Sequence, residues 1–195
     1  MNWIVFDYGD VLSTPQPDAE VEALARAARK DLDTFTRGYW AHRLEFDRGA
    51  LSDEQYWEQV LGREPGAGEV TRLVALDVAS WSHPCEGTVT LLGELLAEGR
   101  NVALLSNAPA SMGDGLERLP WIAAIERRFF SGRLGLVKPD REIFDQMAGR
   151  LGAAPDEIVF IDDRELNVAG AERAGMTGLH YRDPETLRAD LAPLL

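Results

Sequence analysis

Cysteine is nearly missing from this chain: Cys85 stands alone, so no disulfide can form within it, which suits a reducing cytosol. Positive charge is scarce as well. Twenty lysines and arginines face 33 aspartates and glutamates, leaving a net charge of −13 and a pI near 4.6. A field of that sign repels polyphosphate backbones and argues against a nucleic-acid partner. An anionic small substrate would need local help from a metal ion or a lysine. No apolar run approaches the ~18 residues that cross a bilayer, so no membrane span is expected. The opening segment lacks the basic-then-apolar order of a secretory signal, because Asp7 interrupts it. Repeats and low-complexity stretches are absent too. These absences point to a cytoplasmic globular protein. Its 195 residues suffice for one α/β domain with an insert, or for two small domains.

What is present is more pointed. Three short apolar runs each stop on a polar residue that chemistry can use. Trp3-Ile4-Val5-Phe6 runs into Asp7, Val102-Ala103-Leu104-Leu105 into Ser106-Asn107, and Ile158-Val159-Phe160-Ile161 into Asp162-Asp163. Runs of this kind, without polar alternation, read as strands buried on both faces of a parallel sheet. Ligands bind at the carboxyl ends of such strands. Three distant segments could thus deliver carboxylates, a hydroxyl and an amide to one crevice.

Between the first and second runs the pattern is helical. Val21, Leu24 and Ala28 make one stripe, and Phe35, Tyr39 and Phe46 fit a second helix. Ser52-Asp53-Glu54-Gln55 reads as a capping box opening a third, with Tyr56, Val60 and Leu61. Val70, Leu73, Val74 and Asp77 suggest a fourth, and His83-Pro84 a return linker. From Cys85 onward strands and helices alternate. Helices are expected over about Thr88 to Glu98, from Pro139-Asp140 to Leu151, and over Asn167 to Ala174. Short strands are expected at Arg128-Phe129-Phe130 and at Thr177 to Tyr181. Alternation of this kind predicts a parallel sheet covered by helices on both faces.

Each chemical residue has a plain reading beside the functional one. Asp7, opening the turn Tyr8-Gly9-Asp10, is either a turn former or a reactive carboxylate. Ser106-Asn107 caps a helix, holds an anion, or does both. Lys138, in Gly135-Leu136-Val137-Lys138-Pro139, is a surface charge or a cation fixed between a buried valine and a helix-opening proline. Asp162 and Asp163 repel each other unless a cation or donors neutralise them, and hard oxygen ligands of this kind suit Mg²⁺.

In this order and spacing the four elements, with the helical insert, resemble the haloacid dehalogenase superfamily of hydrolases (subfamily I, with a small helical cap) over the whole chain. The Gly9 variant of the first motif, and the Asp162-Asp163 pair followed by Asn167, look most like the branch with sugar-phosphate phosphatases and the phosphatase domain of soluble epoxide hydrolase. The resemblance implies a Rossmann-like three-layer core from residues 1–14 and 84–195, and a cap from residues 15–83. It implies a Mg²⁺-dependent phosphatase of a small phosphorylated metabolite. Asp7 would be the nucleophile, forming an aspartyl-phosphate. Mg²⁺ would be held by Asp7, the Gly9 carbonyl and Asp163, with Asp162 a ligand through water or a supporting partner. Ser106, the Asn107 backbone and Lys138 would hold the phosphoryl oxygens, Tyr8 would contact substrate, and Asn167 would orient the carboxylate pair.

One position departs from the superfamily's common phosphatase pattern. A second aspartate, the acid–base group, usually follows the nucleophile by two residues; here that place is Gly9, and the carboxylate falls at Asp10. Loss of such a group costs ~10²–10⁴-fold in rate, so a water, a cap residue or a good leaving group must compensate. A neighbouring turn residue generally points elsewhere, so Asp10 is not simply its substitute. In the insert, Trp40, Trp57 and Trp81 read as bundle core. His42 and Arg43 read as a solvated face or as readers of the leaving group, the former slightly favoured. His83 and His180 read as structural or exposed, and Cys85 as packing. Two other functions compete: a metal-free 2-haloacid dehalogenase, which Gly9 fits and the paired carboxylates do not, and a non-catalytic binding module.

Overall fold

A computed structural model describes residues 3–195, so the first two residues of the expected core lie outside it. Among the described residues five strands form one parallel sheet in the order β3-β2-β1-β4-β5. They are β1 (Trp3–Phe6), β2 (Val102–Ser106), β3 (Arg127–Phe130), β4 (Ile158–Asp162) and β5 (Thr177–His180). Strand β1 lies in the middle, with Phe6 level with Leu104 of β2 and Ile161 of β4. The three polar run-ends therefore finish side by side.

Why these runs became inner strands is visible in their side chains. Alternation along β1 sends Ile4 and Phe6 to one face and Val5 to the other, and both faces are packed. On the first face lie α6 (Glu86–Ala97), with Leu91, Leu92 and Leu95, α7 (Ala110–Leu116) and α12 (Pro184–Leu191). On the second lie α10 (Arg141–Leu151), with Ile143, Phe144 and Met147, and α11 (Glu165–Arg173). Short α8 (Pro120–Ala123) and α9 (Ser131–Leu134) flank β3. This is the three-layer Rossmann-like α/β architecture that strand–helix alternation predicts.

The chain between β1 and α6 forms α1 (Asp18–Ala27), α2 (Leu32–Ala41), α3 (Arg43–Asp47), α4 (Asp53–Leu61) and α5 (Glu69–Ser80). They enclose an aromatic-rich core of their own around Phe35, Tyr39, Phe46, Tyr56 and Trp57. The capping box at Ser52 and Gln55 is formed. The expected single helix through Phe35, Tyr39 and Phe46 is two, because His42 leaves helical geometry (φ −119°, ψ 11°). A stripe spaced by four and seven does not register one such residue. The redirected α3 lets Phe46 stack on Tyr56, with ring centroids 4.0 Å apart.

The insert leaves and rejoins the sheet domain at one place: Ser13 bridges Pro84, the Thr14 amide donates to the His83 carbonyl, and the Cys85 amide to that of Leu12. It also rests on the sheet domain beyond that hinge. The buried Ser131 hydroxyl donates to the Asp47 carbonyl and accepts from the Ala108 amide. Gly49 (φ +79°) comes so near that a β-carbon would lie 2.5 Å from the Gly132 carbonyl oxygen. Two further expectations shift. Helix α10 opens at Arg141 with Asp140 as its N-terminal cap, while Pro139, in a cis peptide with Lys138, precedes it. Helix α7 is capped by Pro109 without a side-chain hydrogen bond, so Ser106 and Asn107 are not its cap. Among the described residues no helix is long and apolar enough to cross a membrane.

Candidate active site

One cavity of about 470 Å³ opens at the carboxyl ends of β1, β2 and β4, under the insert. Asp7, Tyr8, Gly9, Ser106, Asn107, Lys138 and Asp163 all line it. Asp162 lies beneath, wholly buried.

Lys138 organises the floor. Its Nζ is 2.7 Å from an Asp7 oxygen and 2.6 Å from Asp162 Oδ2, and it donates to the Leu105 carbonyl at 3.0 Å. Asn107 explains why the lysine sits there: its carboxamide accepts from the Lys138 amide and donates to the Lys138 carbonyl, both at 2.9 Å. That two-point clamp is a role for the Asn107 side chain that motif spacing does not disclose. The ammonium is buried, which by itself would lower its pKa, yet Asp162 and Asp7 outweigh burial and hold it above the ordinary lysine value. Lys138 is thus no surface charge.

The three carboxylates divide into different situations. Asp162 accepts four hydrogen bonds: Oδ1 from the Arg164 amide and Asn167, Oδ2 from Lys138 and Asn167. A carboxylate offers about four lone-pair sites, so Asp162 is saturated by the protein and acts on Lys138 and Asn167. Asp163 is half-buried, and its carboxylate accepts from its own backbone amide, with no side-chain donor bonded to it among the described residues. Burial, Asp162 and Asp10 together push it up to about 6. Asp7 is pushed up to about 8, by burial first, with the Lys138 pull insufficient to offset it. Ligand oxygens of Asp7, Asp162 and Asp163 lie within 4.8 Å of one another. A small dication of hard character matches this donor set. One ammonium cannot balance the cluster, and Asp163 has lone pairs to give.

Tyr8 lines the cavity, but its hydroxyl is donated to the Trp81 carbonyl and its ring stacks on Trp121 at 5.7 Å. Gly9 is outside the left-handed region, and a β-carbon there would meet the Trp81 indole at 3.5 Å, an ordinary contact. Asp10, by contrast, adopts φ +58°. That turn brings it to the cavity wall rather than away from it.

The insert's contribution departs furthest from sequence reasoning. Arg43 is buried and lines the cavity, its guanidinium held by Asp47 at 2.8 Å and Asp77 at 3.3 Å and bonded to the Tyr39 hydroxyl. The favoured reading of a solvated face fails for Arg43 because its partners sit at i+4 and on α5. It holds for His42, which is exposed beside Glu45 at 3.6 Å. Of the three tryptophans only Trp57 is bundle core; Trp40 and Trp81 line the cavity instead. Leu44, Asp47, Met112, Leu116 and Arg164 complete the walls. The i,i+4 pairs Trp40–Leu44 and Arg43–Asp47 were the available signals. Cys85 packs against Thr88 and Tyr181, and His83 pairs with Glu20 at 2.9 Å.

The geometry has relatives. The family model for haloacid dehalogenase-like hydrolases matches residues 1–175. The chain belongs to that family of hydrolases. It is 28% identical over 182 residues to the sesquiterpene phosphatase astK of Aspergillus oryzae, covering 92% of this chain and 89% of that one. To the D-ribitol-5-phosphate phosphatase of Bacteroides thetaiotaomicron it is 26% identical over 209 residues, covering 98% and 97%. A haloacid dehalogenase family enzyme from the same bacterium, solved with magnesium and inorganic phosphate, shares the fold with a TM-score of 0.75 at 19% identity, over 94% of this chain and 95% of that one. With such relatives the chain is a phosphatase-type hydrolase.

Proposed function

We propose that the protein is a Mg²⁺-dependent phosphatase of a small phosphorylated metabolite, working through an aspartyl-phosphate on Asp7. The observation that carries this is the pairing of Asp7 with Lys138 at 2.7 Å beside the Asp163 carboxylate, which no cation pairs among the described residues, in one cavity at the end of the central strand. The phosphatase names of its relatives support the same reading.

Asp7 and Asp163, with the Gly9 carbonyl, would hold the ion. Mg²⁺, when bound, neutralises charge on the phosphoryl oxygens and on the two carboxylates. Lys138 and the Ser106 hydroxyl hold phosphoryl oxygens where charge accumulates in a loose transition state. An Asp7 oxygen bonds to phosphorus as the ester P–O bond breaks, and the departing alkoxide takes a proton from a water in the cavity. A water then attacks the phosphorus, freeing phosphate and restoring the Asp7 carboxylate. Asp162 and Asn167 position Lys138. The helical insert serves as the cap that closes over the substrate.

The test is phosphate release from a panel of phosphomonoesters, with and without Mg²⁺. Release should vanish in EDTA and return with Mg²⁺, and Asp163→Asn should weaken Mg²⁺ activation. Halide release from 2-haloacids that ignores EDTA would establish the dehalogenase reading instead.

A further inference from the structure

The cavity has two unlike ends. Its floor is the charged cluster; an upper wall of Trp40 and Leu44 of the insert with Trp81, Met112 and Leu116 carries most of its apolar lining, beside the paired Arg43 and Asp47. Trp40 and Leu44 are 53% and 55% exposed. They lie four residues apart and line the same cavity as Asp7. Single exposed apolar residues are ordinary, but a contiguous apolar face within a polar site marks a binding surface. The Trp40 ring packs edge-on against Tyr39, with centroids 5.0 Å apart.

The polar groups at that end are already engaged with one another. Arg43 is neutralised by Asp47 and Asp77 and bonded to Tyr39. The Trp81 indole N–H donates to the Tyr39 hydroxyl at 3.2 Å, and the Tyr8 hydroxyl donates to the Trp81 carbonyl. These groups have little left for the hydroxyls of a polyol. At position 9, where a carboxylic side chain would face the leaving group, glycine leaves the Trp81 indole within 3.5 Å of the place a β-carbon would take. The wall beside Gly9 is therefore aromatic.

We infer that this upper wall is an acceptor site for an apolar leaving group, so that the enzyme selects phosphomonoesters of hydrophobic alcohols over those of sugars and polyols. The inference rests on the phosphatase reading and adds the substrate class.

Primary n-alkyl phosphates from propyl to decyl test it, because their leaving alcohols are nearly equal in basicity and differ in apolar surface alone. Each methylene taken into the site should raise kcat/KM about fourfold until the wall is covered. Glycerol 3-phosphate and ribitol 5-phosphate should fall well below alkyl esters of similar size. Trp40→Ala and Leu44→Ala, both at exposed positions, should flatten the dependence on chain length, with melting temperatures confirming folded protein. Leu32→Ala, at an exposed leucine of the helix that carries Trp40 but outside the cavity, should preserve the slope. A flat slope in the wild type, polyol esters matching alkyl ones, or an unaltered slope in both cavity variants would each overturn the acceptor site while phosphate release upheld the phosphatase. No release from any ester would overturn the phosphatase reading and the acceptor site with it.

Discussion

Replacing Lys138 with methionine keeps the length of the side chain and removes its charge. The lysine is 2% exposed and serves Asp7 at 2.7 Å, Asp162 at 2.6 Å and the Leu105 carbonyl at 3.0 Å. Without it Asp162, wholly buried, keeps its Asn167 and Arg164 amide donors but has no cation. Breaking a buried pair by removing one partner costs ~3–5 kcal/mol. Asp7 adds less, since a carboxyl already pushed up to about 8 takes up a proton readily. For a chain of this size each kcal/mol is worth ~2–4 °C, so the melting temperature should drop by ~6–20 °C. Adding Asp162→Asn removes the stranded charge and should restore part of that loss. Activity should fall ~10²–10³-fold in Lys138→Met, as for other lost transition-state donors, and should stay low in the double variant. Thermal and urea melts in EDTA, arranged as a double-mutant cycle, measure the coupling. Stability of Lys138→Met within ~1 kcal/mol of wild type, or no gain from the second substitution, would refute the claim that the lysine neutralises this cluster.

Other perturbations should separate as cleanly. Asp7→Asn should abolish phosphate release while leaving the melting temperature near wild type or above it, because it relieves carboxylate crowding; substantial residual turnover would exclude Asp7 as nucleophile. Gly9→Asp should fold, given its ordinary contact with Trp81, and should speed alkyl phosphates by up to ~10²-fold while gaining less on p-nitrophenyl phosphate. Equal gains on both would argue against general acid catalysis from that position. Asp10→Asn, losing rate selectively on poor leaving groups, would identify Asp10 as the acid instead. Hydrogen bonds from Arg133 hold Glu117 down to about 2, with Arg128 assisting. Its folded pKa lies below its unfolded one, so its stabilisation is present above the ordinary carboxylate pKa and is lost as pH falls toward 2. Glu117→Gln should therefore lower the urea midpoint at pH 7 and leave it unchanged near pH 2; a constant deficit at both would contradict the assignment.

The sheet was legible because inner parallel strands are apolar on both faces, so β1, β2 and β4 stand out and their ends show where the crevice lies. Asp7, Ser106 and Asp163 could be named from those ends, and Lys138 from its place between Val137 and Pro139. Helix α7 could not be read, because two glycines in Ala110–Leu116 erase its apolar rhythm. The burial of Arg43 was hidden for another reason. Its neutralising partners are one turn along and on α5, and single-residue reading defaults an arginine to solvent. The upper wall was invisible in the same way. Trp40 reads as core by residue type, yet its neighbour Tyr39 takes the buried place on the same helix and leaves Trp40 at the cavity. The place of Asp10 at the cavity was not legible, because backbone handedness, φ +58°, cannot be read from the residue type.

The chain's two crossings into and out of the insert run side by side at Ser13 and Pro84. To the sheet domain, the insert is a single graft with one stem. On the proposed function, the reacting groups and part of the selectivity fall on separately exchangeable parts: Asp7, Lys138 and Asp163 belong to the stock, Trp40 and Leu44 to the scion. A transplanted insert of different wall residues would redirect the enzyme toward other alcohols without disturbing a strand. Compatibility would be decided at the seam, where the Ser131 hydroxyl meets the Asp47 carbonyl and Gly49 meets Gly132.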